Sequence, residues 1–329
     1  MSPAKLRSLR PFLIRTFKFL LLLAVPILIV WNWMIALALL LFVNGKSLIR
    51  VLFGRLPLSV PKSSSDGPYT HVYKIDQLSY KLDVYYPSKG NPPFPAVVFA
   101  HGGGWLSGFR KQPNNISWYR FLNHYGFAVA TVDYRYGYLY HINDILQDYE
   151  DSIEYIRKNA QKLKIGADKL LLMGLSAGGH LALYYATYHS YHNHIEKMRG
   201  IRGVVVWYAP SDLTDLWDWA VESLFARFSV VAVLKGLPSK NLEDYKLYSP
   251  ITWVSKKMVP TFLVHGLSDG VVPAKSSIKT YKRLREEGVK AFLRLHPTGD
   301  HSFEFTMRDR YTIKILQDMI DFMHDAVTE

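Results

Sequence analysis

The 329-residue chain has no cysteine. Disulfides, thiolate nucleophiles and cysteine-ligated zinc are therefore excluded. The compartment stays open, because a domain without disulfides folds on either side of a membrane. Acidic residues are also missing from residues 1–62, which carry nine Lys/Arg between Lys5 and Lys62. The remaining chain holds 31 basic and 27 acidic residues, so the net charge of +13 belongs to one end. On that distribution no nucleic-acid partner is expected, a basic nucleic-acid-binding arm being the minor alternative. Within that end, residues 19–45 contain no charge at all. An uncharged run of 27 residues exceeds the roughly 20 needed to cross a bilayer as a helix. It is longer than the core of a signal peptide and lacks a small-residue cleavage site. An uncleaved anchor is expected, with tilt or a kink at Pro26. The pair Trp31 and Trp33 near its middle leaves a re-entrant hairpin as the alternative. Five basic residues precede the run and four follow it, so the membrane face carrying the rest is left undetermined. Both flanks suit anionic headgroups.

After the run, Leu48-Ile49-Arg50-Val51-Leu52-Phe53-Gly54-Arg55-Leu56 suits an interfacial segment. Pro57, Pro61 and Ser63-Ser64-Ser65-Asp66-Gly67-Pro68 read as a linker. The expected organisation is a basic N-terminus and anchor over 1–45, an interfacial segment and linker over 46–67, and one domain over 68–329. Residues 69–75 and 80–86 alternate like half-buried antiparallel strands. Apolar runs at 96–100, 127–132, 170–173, 203–207, 261–264 and 291–295 read as buried strands. Helical stretches separate them, near 114–124, 143–162, 177–190, 275–287 and 307–326. This pattern predicts an α/β domain with a mostly parallel sheet of about eight strands and helices on both faces. The interval 211–258 is too long for a connection, and its helical spacing of Leu213, Leu216, Trp217, Phe225 and Phe228 reads as a packed or lid-like insertion.

Two glycine-rich strings carry the chemistry. Gly174-Leu175-Ser176-Ala177-Gly178 lies between a buried strand and a helix, the pattern of a nucleophile elbow. His101-Gly102-Gly103-Gly104-Trp105 follows the strand at 96–100, and its N–H groups, with that of Ala177, could face an oxyanion. A serine hydroxyl needs a base, and the base needs an orienting carboxylate. Asp269 and His301 each lie just beyond a strand end, in the order Ser, Asp, His. Asp212 is the alternative carboxylate. His180 reads as a packed helix residue, His265 as a turn residue, and Asp300 as pointing elsewhere. His189, His192 and His194 read as a solvated surface cluster with metal binding as the sharper alternative. Asp133-Tyr134-Arg135 reads as an ion pair or turn. Trp105, Trp217 and Phe225 are candidate pocket residues. No cofactor or metal is expected.

These strings resemble, from about residue 70 to 325, the α/β-hydrolase-fold esterases with an HGGG oxyanion loop. The hormone-sensitive-lipase-like branch usually has Asp before the nucleophile, and here that residue is Leu175. The string from Gly174 to Ala182 is more similar to acetyl/feruloyl esterases and arylformamidases, a side that isoprenylcysteine methylesterases share. The resemblance implies a serine carboxylesterase acting through an acyl-enzyme, with Ser176, His301 and Asp269 as triad and the Gly103, Gly104 and Ala177 N–H groups as oxyanion donors. An amidase, a serine peptidase and a non-catalytic membrane-tethered binding module are the competing readings. If His301 is the base, activity falls as pH drops through about 6–7, because a protonated imidazole accepts no proton. The partner expected is a small-molecule ester; the anchor suggests a hydrophobic one, with an anchor that only localises the enzyme as the equal alternative.

Overall fold

The computed structural model describes residues 53–219 and 221–328. The anchor expected over 1–45 lies outside the described residues. Among those described, no helix is long and apolar enough to cross a membrane. Arg55 to Glu329 is one compact unit.

Its sheet is built from β1 (Ser65–Ile75), β2 (Ser79–Pro87), β3 (Phe94–Ala100), β4 (Ala128–Val132), β5 (Ile165–Leu175), β6 (Ile201–Trp207), β7 (Thr261–Gly266) and β8 (Ala291–His296). The spatial order is β1-β2-β4-β3-β5-β6-β7-β8. The β1–β2 and β2–β4 pairs are antiparallel, and β4 through β8 run parallel. Strands buried on both faces read as continuous apolar runs, whereas β1, at the edge, is mostly exposed.

Helices cover both faces. Val97, Phe99, Val129, Met173 and Val205 point toward α1 (Pro113–His124) and, at the C-terminus, toward the helix Arg310–Thr328. Ala96, Val98, Ala130 and Leu172 point the other way, toward α2 (Ile142–Lys158) and α3 (Ala177–Tyr191). That is the period-two alternation of a pleated strand. Each fully buried Leu or Phe contributes about 2 kcal/mol by removal from water.

The domain begins earlier than Pro68. Strand β1 starts at Ser65, and Leu56 is buried with its N–H donating to Ser117 Oγ in α1 at 3.3 Å. Leu56 therefore belongs to the core and not to an interfacial segment. The long interval between β6 and β7 holds 3-10 turns at Leu213–Trp217 and Pro250–Trp253, with the short helix α4 (Ile195–Met198) preceding it before β6. Between those turns lie α5 (Leu224–Leu234) and α6 (Pro238–Leu247); α7 (Lys275–Glu286) and α8 (Arg310–Thr328) complete the fold.

Candidate active site

Strand β5 runs straight into α3 through Ser176, whose φ of 51° lies in the left-handed region. Such a conformation costs about 1–3 kcal/mol in a residue with a side chain, and it persists only where packing enforces it. The flanking glycines are required by close approach. A Cβ on Gly178 would fall on the carbonyl oxygens of Ala100 and His101, and one on Gly174 would fall on the Gly178 carbonyl. The sharp turn exposes the hydroxyl at the carboxyl edge of the sheet.

The loop after β3 lies beside it. A Cβ on Gly102 would be 3.5 Å from Ser176 Cβ, and Gly103 has φ of 128°, which excludes other residues without strain. His101 braces the loop from below. Its ring is fully buried, stacks on Tyr134 with centroids 4.3 Å apart, and its Nδ1 lies 2.9 Å from the Gly102 carbonyl. Burial pushes its pKa down, so the imidazole is neutral. Tyr134 also donates to the His101 carbonyl at 2.7 Å. The neighbouring Asp133 and Arg135 form ion pairs with Arg110 and Asp148, as the sequence suggests. The Ala177 N–H, in the first turn of α3, has no partner within its helix.

Three side chains from three strand ends meet here. His301 Nε2 lies 3.0 Å from Ser176 Oγ, and His301 Nδ1 lies 2.8 Å from Asp269 Oδ2. Asp269 Oδ1 accepts from the N–H groups of Val271 and Val272 at 2.8 and 2.9 Å. Burial works against ionising Asp269. The charge of His301 and hydrogen bonds from His265 and His301 outweigh it and hold the carboxylate well below the usual range. Burial likewise pulls the His301 pKa down, but the facing Asp269 raises it above the ordinary histidine value. A neutral His301 thus carries its proton on Nδ1 and leaves Nε2 to accept from Ser176.

Two groups under this relay were not legible as such. His265 is not a turn residue: it is the buried fifth residue of β7, with Nε2 2.9 Å from the Val272 carbonyl and 3.3 Å from Asp269 Oδ2. Only a protonated Nε2 satisfies the carbonyl, so Nδ1 accepts from Ser277 Oγ at 2.7 Å. The spacing His265 to Asp269, across one turn, was the available signal. The second group is Tyr208, whose ring packs 4.6 Å from that of His301 and whose hydroxyl donates to Glu304 at 2.5 Å.

Glu304 is fully buried, and burial raises its pKa from 4.5 to about 7. A carboxyl with a raised folded pKa holds a proton that the unfolded chain has lost, so its stability contribution is complete below the unfolded pKa and disappears as pH rises through 7. Glu304→Gln keeps an oxygen for Tyr208 and removes the titration. The variant is expected to match the parent in urea unfolding near pH 4 and to exceed it near pH 8 by on the order of 2–3 kcal/mol. Equal stability at both pH values would contradict it.

The other expectations divide. Asp300 accepts from the N–H groups of His301 and Gly270, away from the imidazole. Asp212 caps the Leu213–Trp217 turn and pairs with Lys279 at 2.5 Å, so it is not the carboxylate facing His301. Phe225 lies against Gly104. Trp105 is a correction: it is 2% exposed and packs edge-on against His180 behind the loop, so it lines no open pocket. Trp217 is partly exposed, its indole N–H donating to Tyr245 at 3.2 Å and its ring lying under Arg227. His180 is packed, with Nε2 2.8 Å from the Tyr248 carbonyl. The His189 cluster divides: His192 and His194 are exposed, as expected, whereas His189 is buried between Glu150, at 3.0 Å, and His194, at 2.9 Å. It borders a cavity of about 250 Å³ with Tyr184, Tyr185, Tyr188 and Tyr248, remote from Ser176 along α3. Among the described residues no cluster suits a metal ion.

Residues 82–284 match the model of the BD-FAE family. A probable isoprenylcysteine alpha-carbonyl methylesterase ICME of Oryza sativa subsp. japonica is 28% identical over 268 residues, covering 76% of this chain and 62% of that protein. Esterase LipC of Mycobacterium tuberculosis is 26% identical over 254 residues, covering 72% of this chain and 60% of that one. The chain thus spans about three fifths of the length of these relatives. A truncated carbohydrate esterase from gut microbiota superposes with a TM-score of 0.69 at 22% identity, covering 84% of this chain and 100% of that structure. That likeness shows the fold, an α/β-hydrolase fold with an eight-stranded, mostly parallel sheet.

Proposed function

The chain belongs to the BD-FAE family, and we propose that it is a membrane-anchored serine carboxylesterase. The observation that carries this reading is the continuous hydrogen-bonded order from Ser176 Oγ through His301 to Asp269, beside the loop 102–104. The names of the curated relatives, a methylesterase and an esterase, support the reaction class.

Ser176 attacks the ester carbonyl as its proton passes to His301 Nε2. Asp269 holds the Nδ1 proton and stabilises the imidazolium. The N–H groups of Gly103, Gly104 and Ala177 face the oxygen on which charge develops, where each donor is worth about 3–4 kcal/mol of barrier. The tetrahedral intermediate collapses, and the alcohol leaves with the proton from His301. Water then enters and attacks the acyl carbonyl as its proton passes to His301. The intermediate collapses, Ser176 Oγ takes that proton back from His301, and the acid is released. Every step uses groups of this chain, and no cofactor takes part. The uncharged run at 19–45 serves as the anchor, and the substrate is a hydrophobic carboxylic ester.

A fluorophosphonate probe is expected to label the full-length protein at one residue, Ser176, located by peptide mass spectrometry. Labelling that survives in Ser176→Ala protein would refute the assignment. A matched panel of esters and anilides separates the reaction classes, with esters turned over faster. Preference for the amides would make the protein an amidase.

A further inference from the structure

The outward face of α5 has no charged residue that explains its exposure. Leu224, Phe225 and Phe228 are each 50% exposed or more, and Val231 continues the same face. Ala226, Val230, Val233 and Leu234 fill the inward face. The intervening Arg227 turns back along the chain, where its guanidinium donates to the carbonyls of Asp218 and Val221. A helix apolar all round belongs in a core or in lipid, and α5 has a core on one side only. Just before it, Trp219 is 91% exposed. Exposed apolar patches of this kind mark interaction surfaces.

The patch sits at the mouth of the candidate site. Phe225 touches Gly104 on one side, and the N–H groups of Glu222 and Ser223 reach the Gly270 carbonyl, beside Asp269, on the other. The first turn of α5 therefore spans from the glycine loop to the carboxylate turn.

We propose that this face, centred on Trp219, Leu224 and Phe228, docks on a lipid bilayer and sets the mouth of the site at the membrane surface. Two observations select lipid over a second copy of the chain. The uncharged run ends at residue 45, ten residues before Arg55. Ten residues span at most about 36 Å, so an anchored chain cannot carry the domain far from the bilayer. Second, the chain joins the domain on the site's side: Leu56 meets Ser117 in the first half of α1, and α1 begins just after the glycine loop at the carboxyl edge of the sheet. The docking rests on the anchor reading. Its consequence, that an ester passes from lipid into the site past α5, rests on the esterase reading as well.

The absence of cysteine makes the test direct. Full-length protein carrying Phe228→Cys, labelled with an environment-sensitive fluorophore, is reconstituted in phosphatidylcholine–phosphatidylserine vesicles. Lys169→Cys, exposed at the opposite end of β5, serves as the reference. The label at 228 is expected to shift to the blue and to be quenched several-fold more strongly by shallow doxyl lipids than the label at 169. Equal, aqueous behaviour of both labels on vesicle-bound protein overturns the docking and leaves the anchor intact. Failure to bind vesicles overturns both. A shielded but unquenched label with energy transfer between copies makes the face a dimer interface instead. In parallel, Phe228→Asp is expected to lower hydrolysis of a vesicle-borne ester several-fold while leaving p-nitrophenyl acetate hydrolysis in solution unchanged. Should the parent hydrolyse neither ester, the esterase reading fails and the fluorescence alone decides the docking.

Discussion

Ser176→Ala is expected to lower kcat/KM for a carboxylic ester by about 10⁴–10⁶-fold. The substitution removes one oxygen, the one that lies 3.0 Å from His301 Nε2 and would carry the acyl group. Ala at this position keeps the left-handed φ of 51°, because the elbow is enforced by the Gly174 and Gly178 contacts and not by the hydroxyl. The fold should therefore survive, and thermal unfolding of the variant checks that the loss is chemical. KM for a slowly hydrolysed ester should change little, since the loop at 102–104 and the apolar wall at Phe225 stay in place. Residual hydrolysis above the uncatalysed rate is expected, because the Gly103, Gly104 and Ala177 N–H groups would still face a developing oxyanion. Activity equal to that of the parent would remove Ser176 from the reaction and the relay with it.

The same residues explain what a sequence can disclose and what it cannot. Strands β3 to β8 were readable because burial on both faces demands uncharged runs, and Ala96-Val97-Val98-Phe99-Ala100 has no other use. Ser176, Asp269 and His301 were readable because each follows such a run, and the parallel order places all those ends on one edge. What stayed hidden depended on a third dimension. His265 stands inside β7, where an apolar side chain would serve equally, and its value comes from a carboxylate that bends back toward it at 3.3 Å. Glu304 looks like a surface acid three residues after His301, yet the short turn Phe303–Phe305 rolls it inward against Tyr208. Trp105 shows the opposite error. An aromatic beside a glycine loop invites a pocket role, but its φ of 59° directs it behind the loop onto His180. Leu56 marks the same limit at the boundary: a leucine in an apolar, basic stretch looks membrane-facing until Ser117 appears opposite its N–H.

Asp269→Asn is expected to reduce kcat/KM by about 10⁴-fold, and the local hydrogen bonds fix the reason. Oδ1 accepts from two backbone N–H groups, at 2.8 and 2.9 Å, so an amide oxygen takes that position. The amide nitrogen then occupies the Oδ2 position and points its protons at His301 Nδ1 and at the Nε2–H of His265. Nδ1 must now accept, its proton moves to Nε2, and Nε2 can no longer take the Ser176 proton. The reverse amide rotamer sets its nitrogen against the Val271 and Val272 N–H groups and is excluded. The pH profile separates this account from simple misfolding. In the parent, Asp269 raises the His301 pKa above the ordinary histidine value, so activity is lost as pH falls through a point above that value. In the variant that charge is gone, and burial, which lowers the pKa, is opposed only by the weaker pull of Glu304 and Asp300. The acid limb should therefore move to lower pH while the plateau drops. Measurement of kcat/KM from pH 5 to 9 checks both, and an acid limb left where the parent has it would mean that Asp269 does not face the group that titrates.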